Sequence, residues 1–259
     1  MKKISMLLLV AVLAVVCNKS DNQDYDYKLE VTETRTWSAT DITQIDAITK
    51  NGNISVSASQ DTMISAFITR SCRGEDSTDG AKYIGNVVVT DNVTGGKLTL
   101  KADMPNSNGH NYQAHFDIST QESTYLELNT TNGDVSLDGI IAGAKLQTTN
   151  GKVTAENHRG GIDAKSTNGN VDCTLTGLIS TESAVMSTTN GDVILYLPSD
   201  VSARFDGWTT NGEVTVTGFT SVQYEINENK HKKGQIGTGP DYATVTLSTT
   251  NGNVTIRAR

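Results

Sequence analysis

Apolar and polar residues alternate along most of this chain, and Asn-Gly punctuates the alternation. The pair occurs at Asn51-Gly52, then at Asn132-Gly133, Asn150-Gly151, Asn168-Gly169, Asn190-Gly191, Asn211-Gly212 and Asn251-Gly252. The later copies are separated by 18, 18, 22, 21 and 40 residues, the last being about two periods. Six residues before each Asn stand Ile45, Leu126, Ala144, Ile162, Ala184, Phe205 and Val245, and four before it Ala47, Leu128, Leu146, Ala164, Met186, Gly207 and Leu247. Three after it stand Ile54, Val135, Val153, Val171, Val193, Val214 and Val254, with a further apolar or small residue five after. Period-two alternation predicts a strand on each side of every Asn-Gly, each with one buried face. The parity shifts across the pair, so both strands point their apolar faces at one core.

Two folds satisfy this pattern. Asn-Gly between alternating strands is a strong hairpin signal, because a type I′ turn needs positive φ at both central residues. Alternatively the chain turns a corner there and continues as the next side of a solenoid coil. In a solenoid each column stacks on itself, so every coil needs the same residue type at the same place. Val three after, Asn itself and Thr or Ser two before recur in that way. The expected fold is therefore all-β, a right-handed parallel β-helix-like solenoid with about 18–22 residues per coil. An antiparallel hairpin meander is the alternative. Low aromatic content, 5%, suits a thin coil filled by small branched side chains.

The ends depart from the repeat. Met1-Lys2-Lys3, an apolar run from Ile4 to Val16 and then Cys17 read as a secretory leader, too short to span a bilayer. Leu13-Ala14-Val15-Val16-Cys17 resembles a bacterial lipobox, in which the Cys is acylated and becomes the mature N-terminus; Val16 departs from the small residue usual there. Residues 1–17 are thus the leader, 18–26 a polar tether, and 27–259 a single solenoid domain, with 27–50 as cap and first strand. Exposed solenoid ends need blocking, and Tyr27 to Trp37 is expected at one end, with Arg257 and Arg259 guarding the other. Gly95-Gly96 looks like a worn Asn-Gly copy, and Phe219 to Tyr242 like an insertion filling the missing period before Asn251. Arg70 to Lys82 and Asp103 to Asn111 read as loops or insertions.

Removing Lys2 and Lys3 takes the 21 basic residues to 19 against 29 acidic ones, a net charge of −10. That disfavours nucleic acid and anionic lipid surfaces as partners. The expected partners are the membrane, through the N-terminal lipid, and a glycan or protein ligand. The sequence does not define an oligomeric state.

Candidate chemistry is sparse. Cys72 and Cys173 could pair in an oxidising compartment, although Cys173 occupies a core column. His110, His115, His158 and His231 lack zinc-ligand spacing and are expected in solvent. Two residues after each Asn stand Asn53, Asp134, Lys152, Asn170, Asp192, Glu213 and Asn253; on adjacent coils Asp192 and Glu213 would lie about 5 Å apart, a retaining-glycosidase separation. Without an acid–base partner column, a solvated turn is the better reading. The outward column Thr131, Thr149, Thr167, Thr189, Thr210 and Thr250 resembles an ice-binding array, but its neighbour is mixed: Asn129, Gln147, Lys165, Ser187, Trp208 and Ser248. Trp208 could stack on a sugar or pack beneath the 219–242 insertion. His231-Lys232-Lys233 reads as a basic loop and Gly234 to Gly239 as a turn cluster. No catalytic residue, metal or cofactor is expected.

Thr131 to Val135 and its copies, Leu197-Pro198-Ser199-Asp200, and Gly237-Thr238-Gly239 resemble the bacterial "putative adhesin" family of adhesin-like β-helix domains (DUF4097-type). The resemblance covers about Trp37 to Arg259. It implies a β-helix-like domain displayed outside the cytoplasm, often on a lipid or membrane anchor, with no catalytic residues to carry over. The functional expectation is a non-enzymatic envelope or surface module. A β-helix carbohydrate-active enzyme and an envelope protein without ligand are the alternatives.

Overall fold

The computed structural model describes residues 9–13 (backbone only), 27–106 and 109–259. Cys17 and the 18–26 tether lie outside the described residues. The chain forms two eleven-stranded mixed sheets, packed face to face over one core. The strands before each Asn lie in one sheet, here sheet 1: Gln44–Ile48, Tyr125–Asn129, Ala144–Gln147, Ile162–Lys165, Ser183–Asn190, Ala243–Asn251 and Ala203–Asn211. Those after it lie in sheet 2: Ile54–Ala58, Val135–Asp138, Val153–Arg159, Val171–Gly177, Val193–Leu197, Val254–Ala258 and Val214–Thr217. Neighbours within each set run parallel and in register, as in Leu126↔Ala144↔Ile162 and Val135↔Val153↔Val171. The strands flanking each Asn-Gly therefore belong to different sheets, and the hairpin meander is ruled out. Backbone geometry gives the reason. The only non-glycine residue with positive φ among the described residues is Asn157, so no Asn of the repeat can start a type I′ turn.

Each rung is locked to its neighbour at the corner. A Cβ built on Gly133, Gly151 or Gly169 would sit 2.1, 2.0 or 2.0 Å from the carbonyl oxygen of Gly52, Gly133 or Gly151. Only glycine permits that approach. The same carbonyls accept hydrogen bonds from the buried hydroxyls of Thr130, Thr148 and Ser166 at 2.9, 2.8 and 2.9 Å. Asn side chains form a second ladder: the Nδ2 groups of Asn132, Asn150, Asn168 and Asn190 each donate to the Oδ1 of the preceding Asn, at 2.6–2.8 Å. The Thr, Asn and Gly of the motif are thus three parts of one inter-rung joint.

The rungs do not stack in sequence order. Asn190 is followed in the stack by Asn251, and Asn251 by Asn211. After Leu197 the chain leaves one place open and builds the outermost rung. It then adds the hairpin Val222–Asn227/His231–Ile236 to the edge of sheet 1 and returns to fill the gap. Residues 219–242 therefore extend sheet 1 rather than fill a missing coil. Arg257 sits on an internal strand, with Val193–Leu197 on one side and Val214–Thr217 on the other, so it does not guard an end. Every rung with an Asn-Gly corner carries the same columns, so spacing along the chain says nothing about which of them sits on which.

The opposite end of the stack is built from antiparallel strands. Tyr27–Ser38 pairs antiparallel with Met63–Gly74 along its full length, and Leu9–Leu13 runs antiparallel at its outer edge. Buried Trp37 donates from Nε1 to Asp91 at 3.0 Å, while Arg35 bridges Asp91 and Glu33. These inward polar pairs tie the ends of the two sheets together. A degenerate rung follows, Lys97–Asp103 in sheet 1 and Asn111–Thr120 in sheet 2. Gly95 and Gly96 (φ 61° and 80°) are instead the turn of the Val88–Thr94/Lys97–Asp103 hairpin. The expected 70–82 loop is the end of strand Met63–Gly74 followed by a short helix, Ser77–Tyr83, capped by the Asp76 carboxylate.

Candidate ligand-binding surface

The column two after each Asn holds the carboxylates that could carry hydrolysis. Asp134 Oδ1 accepts the Lys152 amide at 2.7 Å, Asn170 Oδ1 the Asp192 amide at 2.9 Å, and Asp192 Oδ1 the Asn253 amide at 2.7 Å. Asn253 Oδ1 then accepts the Glu213 amide at 3.1 Å. Asn253 therefore stands between Asp192 and Glu213, leaving them two rungs or about 9.6 Å apart. The retaining-glycosidase pair is not assembled. The column's preference for Asn and Asp has a structural cause: each side chain caps the next rung's amide.

The histidines are not the solvated residues expected. His158 is fully buried, because a bulge between Ala155 and His158, with Asn157 at φ 48°, turns it inward. Burial holds its pKa below the usual imidazole range. His110 is buried against Asp79 at 2.8 Å, and that hydrogen bond lowers the Asp79 carboxyl. The Asn53 amide donates to His115 Nδ1 at 3.0 Å, and burial lowers this imidazole too. His231 is half-buried and pairs with Asp206 at 2.8 Å. Both Cys72 and Cys173 are buried free thiols. Between their strands in sheet 2 lie four others, a separation of about 24 Å, so they cannot form a disulfide. Burial pushes the Cys72 thiol up to about 11 and raises that of Cys173 as well. Among the described residues no group of three or more His, Cys, Asp or Glu could hold a metal ion.

The outer face of sheet 1 is the extended surface the stack creates. Thr131, Thr149, Thr167, Thr189, Thr250 and Thr210 line it exposed along the corner, in stacking order. The next outward row reads Asn129, Gln147, Lys165, Ser187, Ser248, Trp208 and His231, all side by side in register. Trp208 is 41% exposed. The 219–242 hairpin lies beside it in the plane of the sheet, Trp208 pairing with His231, so the indole is not packed beneath that insertion. His231-Lys232-Lys233 and Gly234 to Ile236 form a strand rather than a loop, because they complete this edge. The Asp206–His231 pair next to Trp208 was not visible beforehand; its only signal, alternation through Lys233 and Gln235, is weak. Clefts lie elsewhere. One of about 470 Å³ is lined by Arg159, Leu178, Ile179 and Pro198, where the coils return to sheet 1.

A two-sheet stack of in-register rungs, with ladders at its corners and a long polar outer face, defines an all-β, solenoid-like repeat protein. The chain belongs to the Toastrack DUF4097 family, whose model matches residues 19–257. No curated protein is similar to it in sequence. Among solved structures it is similar to a "putative cell adhesion protein" from Clostridium sporogenes, with 13% identity and a TM-score of 0.51, covering 88% of this chain and 99% of that one. A "putative adhesin" from Bacteroides fragilis shares 14% identity over 88% of this chain and 97% of its own, with a TM-score of 0.42. At such identities the first likeness speaks to fold alone. Among the described residues no helix is long and apolar enough to cross a membrane.

Proposed function

We propose that this protein is a non-enzymatic, exported surface module of the cell envelope that binds a polymer or protein on the outer face of sheet 1. One observation carries the reading: the inter-rung ladders hold a long row of outward side chains in fixed register, while Asp192 is occupied as a cap and stands two rungs from Glu213. A braced face of this kind presents contacts without having to order them first. The description of the Clostridium sporogenes neighbour as a "putative cell adhesion protein" is in keeping with it. In the same reading the leader is removed, Cys17 carries the lipid, 18–26 is a tether, and the protein stands on the outer membrane or cell surface. The coils wind right-handed, the sense that strand–crossover–strand connections favour. The test sets the mature chain against glycan and matrix-protein arrays. Saturable binding without product release is expected, as is loss of fatty-acid labelling in Cys17→Ser. Polysaccharide cleavage abolished by Asp192→Asn with Glu213→Gln would refute the non-enzymatic assignment.

A further inference from the structure

We infer that Trp208 is the stacking platform of a glycan site on the outer face of sheet 1, one that takes a neutral pyranose ring. The inference rests on the surface-module reading and names its ligand class.

Three features meet at this position. The indole is 41% exposed on a strand near the end of the sheet. On one side its in-register neighbours are Ser248 and then Ser187, so small side chains clear about 10 Å of flat surface beside the ring. On the other side stands His231, whose Nε2 meets Asp206 Oδ1 at 2.8 Å, two residues along the strand from Trp208. A pyranose has an apolar C–H face and a rim of hydroxyls. An indole offers area for the face, and a carboxylate–imidazole pair offers acceptors for the rim.

Charge selects among sugars. His231 faces Asp206, and Lys233, on the same face, lies 3.7 Å from Glu225. Lys233 thus already has a carboxylate beside it, Asp206 adds a second beside Trp208, and the chain carries a net charge of −8. A polyanionic glycan gains little here, so a neutral ring fits best.

The chain has two tryptophans, and the other, Trp37, is 2% exposed, so quenching by acrylamide reports on Trp208. The mature protein is titrated with soluble neutral oligosaccharides (glucans, mannans, galactans and N-acetylglucosamine oligomers) and, as the anionic arm, with uronic-acid oligomers. At least one neutral series is expected to protect the indole and to bind by calorimetry. Trp208→Ala should weaken that binding about tenfold or more, and Asp206→Asn about threefold or more, both with unchanged thermal midpoints. Protection by uronic acids alone overturns the neutral assignment. Glycan binding that survives Trp208→Ala within twofold overturns this site but leaves the surface-module reading standing. Matrix-protein binding without any glycan protection does the same, whereas a wild-type chain binding nothing on either array sinks both.

Discussion

Gly169→Ala tests the inter-rung joint directly. The new methyl would lie 2.0 Å from Gly151 O, whereas real Cβ contacts essentially never fall below 3.0 Å. The obstacle is backbone on both sides, so the two corners must part by about 1 Å. Five hydrogen bonds cross that gap. Backbone amides of Asn168, Gly151 and Val153 reach Thr149 O, Asn168 O and Asn170 O at 2.8, 3.1 and 2.9 Å. Asn168 Nδ2 reaches Asn150 Oδ1 at 2.8 Å, and Ser166 Oγ reaches Gly151 O at 2.9 Å. Moving such bonds out by 1 Å takes them beyond useful length. At about 1 kcal/mol net each, with some relaxation, the expected loss is about 3–5 kcal/mol. That is a large part of the stability of an ordinary domain. Urea denaturation followed by circular dichroism measures it. Gly85→Ala is the control, since a methyl there meets nothing within 4 Å, and it should change stability by less than about 0.5 kcal/mol. A loss below about 1 kcal/mol for Gly169→Ala would refute the claim that close backbone approach dictates the glycine column.

Other variants probe neighbouring parts of the same reasoning. Thr188→Val removes a buried hydroxyl that donates to Gly169 O at 2.8 Å while keeping its shape, and should cost about 1–2 kcal/mol by the same denaturation. His158 is buried and its pKa is lowered, so the folded chain binds fewer protons there than the unfolded chain. Its contribution is full above the ordinary imidazole value of about 6.5 and declines as pH falls through the lowered one. Relative to wild type, His158→Leu should therefore gain stability between pH 7 and pH 5, and a parallel pH profile would contradict the burial argument. Thiol titration in denaturant after air exposure should find Cys72 and Cys173 both free and no intramolecular disulfide, because their strands are too far apart in sheet 2.

How legible this molecule is from its residues depends on the range of the interaction concerned. Alternation about each Asn-Gly marked both strands of every rung, because burial of one face is a local, period-two property. Thr131 and its equivalents could be placed outside, and Val135 and its equivalents inside, by the same parity. His158 could not, since one bulge at Asn157 reverses the parity for a single strand. Trp208 was visible as an anomaly in a polar row. Its partner His231 was not, because a hairpin that extends a sheet and a loop that covers one share the same short, polar composition.

By itself, then, the order of residues determined the unit: two strands, an Asn-Gly turn between them, and a side chain at each outward place. The tertiary structure alone decided how units are arranged. The Asn251 rung enters between Asn190 and Asn211, and that single exchange parts Asp192 from Glu213. The physical reason is degeneracy. Rungs that carry matching Thr, Asn, Gly and Val columns stack on one another in nearly equivalent ways, so the local code is silent on order, and the order is set by where the returning chain can reach.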